Sequence, residues 1–342
     1  MLLFFFMLEY VFIETLSYGA KPLKKTKHRK LIGNLLLLFT AVIWGTAFMF
    51  QRTGMEDIQP LTFNAARMAL AAVFIGTLAF LLRGKFPAGP KESGTNISGE
   101  PQDTHSSKQS RNSLLQTIRG GVVCGCFLSF ASIFQQMGLV YTTAGKAGFI
   151  TAMYMLIVPI ISFLVFKKKN TWLVWVSVFL GIVGMYLLCM TESFSLSKGD
   201  ALVLICAFLF SGHILSCDHY ARRGNPLAIS AVQFTVATII SAIGAMIWET
   251  PTLHQLWVAA LPILYCGLVS GGIGYTLQMI AQKMTDPTTA SLIMSLESVF
   301  AALSGAIFIH ETMQAKEIAG CIVMFLAIIL VQLPIGRHSD QC

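Results

Sequence analysis

The chain has 342 residues, of which 55% are hydrophobic and only 12% charged. A water-soluble fold cannot hide so much apolar surface, so lipid is the solvent for most of it. Length then counts membrane spans of about 20 residues each, not soluble domains. A net charge of +8 would suit a nucleic-acid partner, but the placement of the charges excludes that reading.

Residues 1–30 form an N-terminal extension followed by a basic cytoplasmic segment. Its first twenty residues are apolar but carry Glu9 and Glu14, each costing about 2.5–3.5 kcal/mol at a helix centre in lipid. No basic stretch precedes the apolar run, as a signal peptide requires. An interfacial helix, or an extension upstream of a true start such as Met7, fits better than an eleventh span. A first half at 31–190 holds spans at about 31–51, 60–82, 119–140, 143–166 and 171–190. A stretch at 84–118, rich in Ser, Gly, Gln and charge, is expected to be disordered cytoplasmic loop. The sequon Asn96-Ile97-Ser98 lies there, out of reach of glycosylation. A second half at 199–334 holds spans at about 200–220, 227–248, 257–281, 286–309 and 315–333, and 335–342 is a cytoplasmic tail.

The halves repeat one another. At an offset of 143, Gln135 falls on Gln278, Thr142 on Thr285, Ala147 on Ala290 and Ile150 on Ile293. The first two spans of each half match instead at about 166, and the long loop absorbs the difference. Five spans per copy is an odd number, so the second copy enters from the opposite side of the membrane. The expected fold is an all-α integral membrane protein, ten transmembrane helices in two inverted five-helix repeats, the architecture of alternating-access transporters.

Lys and Arg set the orientation. With the N-terminus inside, 19 of them face the cytoplasm and only Arg52, Lys146, Lys198 and Lys316 face outward, with Arg67 inside a span. Both termini are therefore expected in the cytoplasm. The same bias accounts for the basic charge without nucleic acid. Seven of the eight cysteines lie in apolar segments and read as buried hydrophobes, not staples or metal ligands.

Small residues allow close helix packing where lipid supplies no hydrophobic drive. Gly267, Gly271, Gly274 and Gln278 lie at alternating steps of four and three, one face of a helix, as do Ser291, Ser295, Ser298, Ala302 and Gly305. A weaker stripe joins Gly125, Leu128, Ser132 and Gln135. Tight packing is the favoured reading of all three.

Polar side chains inside spans are expensive and therefore informative. Glu297 is mid-span in the ninth helix, and its partner at offset 143 is Tyr154, mid-span in the fourth. Transporters of this build place substrate near the midplane. The bland alternative, a protonated Glu297 tying helices together, carries equal weight. Arg67 is expected to snorkel or pair structurally, and Lys146 to snorkel at the outer end of its span, with anion attraction second. His213 is read as hydrogen-bonded, with proton relay second. Trp44, Gln135, Tyr275 and Gln278 are candidate cavity residues, Trp44 equally a packing residue.

The chain lacks a phosphate-binding G-x-x-x-x-G-K-[ST] loop, H-E-x-x-H and G-x-S-x-G. No cofactor or metal is implied. A membrane enzyme needs clustered polar groups, whereas these are scattered one or two per helix.

The chain resembles the EamA-type, ten-helix drug/metabolite transporters over about residues 31–333. The carriers are Trp44-Gly45-Thr46-Ala47-Phe48, Arg67, the run from Tyr141 to Ile150 leading to Pro159, and the stretch from Ala290 to Thr312 with Ser295-Leu296-Glu297 and His310-Glu311-Thr312. Where that family commonly has Glu-Pro, this chain has Glu297-Ser298, so a straighter ninth helix is expected. The resemblance implies a central cavity and secondary, non-ATP-driven transport of small metabolites or drugs, commonly export, in a plasma membrane. Glu297 is the candidate proton carrier if protons are the coupling ion. A membrane-embedded enzyme, a non-transporting scaffold, an uncoupled uniporter and a homodimer stay open.

Overall fold

The computed structural model describes residues 25–81, 103–142, 144–165, 167, 170–189, 197–308 and 315–332. Among them the order is α1 (Lys25–Gly54), α2 (Pro60–Leu81), α3 (Asp103–Leu139), α4 (Ala144–Thr151), α5 (Tyr154–Leu164) and α6 (Trp172–Cys189). Then come α7 (Lys198–Ala221), α8 (Pro226–Trp248), α9 (Leu253–Val258), α10 (Ala260–Leu264) and a π-helix (Tyr265–Gly274). The chain continues with α11 (Tyr275–Gln282), α12 (Pro287–Met294), α13 (Glu297–Phe308) and α14 (Ala315–Gln332).

Among the described residues, seven helical segments are long and apolar enough to cross a membrane, making this a multi-pass membrane protein. Trp172–Leu187 and Ile318–Val331 are apolar but shorter. Large apolar side chains such as Phe179, Met246 and Trp257 stay exposed, as lipid contact requires. Polar residues start the helices. Ser197 and Asp200 form a capping box on α7, Asn225 caps α8 ahead of Pro226, and Asp286 caps α12 ahead of Pro287.

Three expectations are corrected. The stretch expected as loop is helical from Asp103 onward, because α3 reaches back that far; residues 84–102, the sequon and the first twenty residues lie outside the described residues. The ninth span is not one helix, and it is not straighter for lacking a proline. It breaks between α12 and α13, where Leu296 N–H donates to Ile293 O at 3.2 Å and Ser298 N–H to Ser295 O at 3.2 Å. Serine hydroxyls supply the reason. Ser291 and Ser295 donate back to the carbonyls of Thr288 and Leu292 and compete with the helical ladder. The fourth span breaks in the same register, Met153 N–H to Ile150 O at 3.2 Å and Met155 N–H to Ala152 O at 3.0 Å. Third, the glycine stripe of the eighth span does not share one face. The π-helix spreads it, so Gly267 and Gly271 meet α2 while Gly274 meets Trp44 of α1.

The packing pairs α2 with α8, α6 with α14, and α3 with α7 and α8. Close approaches recur at matched positions. A Cβ on Gly125 would lie 2.7 Å from Val236 Cβ and 2.8 Å from Gln233 O, and one on Gly267 would lie 2.9 Å from Leu70 Cβ and 3.0 Å from Arg67 O. Helices α1 and α7 run antiparallel. Near the start of α1, Asn34 Oδ1 accepts from Thr285 Oγ1 at 3.0 Å. Near the start of α7, at the opposite end of the molecule, Asp200 Oδ1 accepts from Thr142 Oγ1 at 2.7 Å. The far end of α7 returns to the Asn34 end, where Arg222 donates to the carbonyls of Lys283 and Thr285. Burial and the neighbouring Arg29 charge hold the Lys283 amine below the ordinary lysine range there.

Candidate functional site

The two helix breaks face one another. Tyr154 opens α5 and Glu297 opens α13, and the Tyr154 hydroxyl donates to Glu297 Oε1 at 3.0 Å. Both are buried. Around this pair lies a cavity with about 600 Å³ of space free of atoms, open solvent at its mouth included. Trp44, Gln135, Tyr154, His213, Tyr275, Gln278 and Glu297 all line it, and so does Arg67. The structure thus brings together residues from α1, α2, α3, α5, α7, α11 and α13. The Lys146 side chain lies outside the described residues.

An aromatic wall is built around Tyr275. Its ring centroid is 4.6 Å from Trp44, 5.7 Å from the His213 ring and 5.5 Å from Phe234. Trp44 is fixed in turn, because its Nε1–H donates to the Ser270 carbonyl at 3.3 Å in the π-helix. His213 is held by Gln233 at 3.2 Å and lies against the Cys217 thiol at 3.4 Å. Gln135 donates to Thr151 at 3.3 Å. Gln278 differs: it is 1% exposed, yet neither amide atom has a hydrogen-bond partner. Such a group costs roughly 1–3 kcal/mol until something pairs with it.

Arg67 does not snorkel. It sits in the first third of α2, 6% exposed, on the cavity wall. Its Nε donates to Asn64 Oδ1 at 2.9 Å, and Asn64 Nδ2 donates to Ser132 of α3 at 3.1 Å and Ser241 of α8 at 2.9 Å. Three helices therefore fix the guanidinium. Sequence reasoning missed Asn64 and Ser241, although the Asn64-to-Arg67 spacing on one helix face was there to be read. It missed Thr151 and Ser270 as well, because small polar residues are common in membrane helices and carry little signal singly. Among the described residues no group of three or more His, Cys, Asp or Glu is placed to hold a metal ion.

A multi-pass helical protein with a polar, aromatic-walled cavity between helix breaks is built like a membrane transporter. The family comparison agrees: residues 31–190 and 197–333 each match the EamA-like transporter family, and the chain belongs to it. An uncharacterized transporter of Archaeoglobus fulgidus is 30% identical over 305 residues, covering 89% of this chain and 87% of its own. The threonine/homoserine exporter RhtA of Salmonella typhimurium is 28% identical over 143 residues, 42% of this chain and 48% of its own. A solved crystal structure with 15% identity superposes with a TM-score of 0.65 over 87% of this chain and 96% of that one, a likeness of fold.

Proposed function

We propose that this chain is a secondary exporter of small polar solutes. It works by alternating access in a plasma membrane, with ten helices in two inverted five-helix halves, 31–190 and 199–334, and both termini in the cytoplasm. The observation that carries the reading is the cavity at the facing helix breaks, with Tyr154 and Glu297 across it. Two family matches in tandem and the antiparallel course of α1 and α7 support the inverted repeat. Arg29, Arg222 and Lys283 gather at the Asn34 end, which supports that end as cytoplasmic. The exporter named among its relatives supports the direction.

Substrate pathway residues are Glu297, Tyr154, Gln135, Gln278, Tyr275, His213 and Trp44. Glu297 is the proton carrier, because a carboxyl group is the cavity's acid best placed to exchange a proton for a solute near the midplane. A thermal-shift screen of metabolites supplies a transported solute, since a ligand of the folded state raises its stability. Proteoliposomes then compare the wild type with Glu297→Gln. The variant should keep solute exchange and lose proton-driven accumulation. Proton-driven transport at the wild-type level in Glu297→Gln would sink the carrier role.

A further inference from the structure

Two opposite charges share the cavity wall without meeting. Arg67 has no carboxylate within 4.0 Å among the described residues; its contacts are Asn64, the Phe63 ring at 5.9 Å and the Cys266 thiol. The one side-chain partner of Glu297 is the Tyr154 hydroxyl. Tyr275 lies within electrostatic reach of both charges, so both belong to one locus and not to opposite ends of the molecule. Burying either charge in a membrane protein is costly, and pairing them directly would relieve the cost. The fold prevents that pairing. Asn64, tied to two further helices, holds the guanidinium back on α2, and Tyr154 holds the carboxyl on α13.

A solute that carries both charges relieves both groups at once. We infer that the cavity takes a small zwitterion, its carboxylate received by the Arg67 guanidinium and its ammonium directed to Glu297 beside Tyr154. The reading rests on the transport function proposed above and names the substrate class of that site. A guanidinium fork held by its Nε presents its remaining N–H groups to a carboxylate, which favours a bidentate contact. The face of Tyr275, backed by Trp44, offers the cationic end a π surface. Gln278, buried with both amide atoms unpartnered, has a donor and an acceptor left for the solute's remaining polar atoms.

The test crosses ligand charge with protein charge on the purified full chain. The probes are the neutral L-amino acids, the simplest molecules with a carboxylate and an ammonium on one carbon. Each is compared with its methyl ester, which lacks the carboxylate, and its N-acetyl form, which lacks the ammonium. Binding is read by calorimetry and thermal shift. At least one free amino acid should bind, and its ester and N-acetyl form should each bind at least about tenfold more weakly, the loss expected for one charge-assisted contact. Arg67→Gln should erase the preference over the ester and keep the preference over the N-acetyl form. Glu297→Gln should do the reverse. Arg67→Lys, which keeps the charge, guards against a variant that merely unfolds and should retain part of the preference over the ester. No binding by any free amino acid, equal binding of a singly charged analogue, or loss of both preferences together in either variant overturns the assignment. Flux in proteoliposomes separates the two readings. A bound zwitterion that is not carried leaves the site standing and removes transport, whereas carriage of a solute with one charge or none does the opposite.

Discussion

The helix break before Tyr154 and the break before Glu297 have the same backbone and different chemistry. Each is a pair of tightened turns at matched residues, Met153 to Ile150 in one and Leu296 to Ile293 in the other. One carries a phenol and a proline four residues after it opens α5; the other carries a carboxylic acid and no proline in its helix. A break device can therefore be kept while the group it presents is changed. In a membrane that separation is useful. Backbone geometry must satisfy hydrogen bonds without water and is hard to alter, whereas one side chain at the break is free to acquire function.

The sharpest way to break the comparison is to remove each group in turn. Glu297→Gln should abolish proton-driven accumulation in proteoliposomes, while Tyr154→Phe, which removes one hydrogen bond worth about 0.5–1.5 kcal/mol, should slow transport no more than roughly tenfold. The reverse ranking would assign the proton to the wrong half. Next come the glycines at the matched close contacts. Gly125→Ala and Gly267→Ala should each lower stability by about 1–3 kcal/mol, because the new Cβ meets a neighbour's Cβ and a backbone carbonyl below 3.1 Å in both places. Melting curves in detergent would expose any inequality between the halves.

Smaller effects are expected at the two threonine junctions. Thr142→Val removes the hydrogen bond to Asp200, and Thr285→Val removes the one to Asn34. Each should shift the conformational balance by up to about tenfold, and in opposite directions. Labelling of a reporter cysteine in the cavity by a membrane-impermeant reagent reads the sign, and shifts of the same sign would refute opposed gates. Gly76→Ala should do least. Nothing lies within 4 Å of its added Cβ, its match at offset 166 is already Ala242, and helix propensity predicts a gain of no more than about 1 kcal/mol.

Much of the site was legible because lipid makes polar residues conspicuous. Glu297, Tyr154, Gln135, Gln278 and His213 stood out against apolar neighbours, and the offset of 143 paired two sets of them before any coordinates. Arg67 was visible but misjudged. Its fate depends on Ser132 and Ser241, which reach Asn64 from helices distant in sequence, and no local pattern carries that. The break in the ninth span was missed because proline is the familiar signal, whereas here serine hydroxyls compete for the carbonyls. Of the ten expected spans, seven stand as long apolar helices among the described residues. The shortfall comes from hydropathy, which averages over a break and cannot see it.

The π-helix is the trace of a single inserted residue. Cys124 and Gly125 align with Cys266 and Gly267 at an offset of 142, while Gln135 aligns with Gln278 at 143. In a plain α-helix one extra residue would swing every later side chain round by ~100°. Here the wider turn of Tyr265–Gly274 absorbs it, so Gly267 stays against α2 and Gln278 stays on the cavity. The perturbation is confined to the wall between them, where the carbonyls of Ser270 and Gly274 accept from Trp44 and Thr40. A length change that elsewhere would scramble a helix has instead given one copy of a duplicated scaffold a feature the other lacks. Duplicated membrane proteins can thus diverge by insertion inside a span as well as by substitution along it.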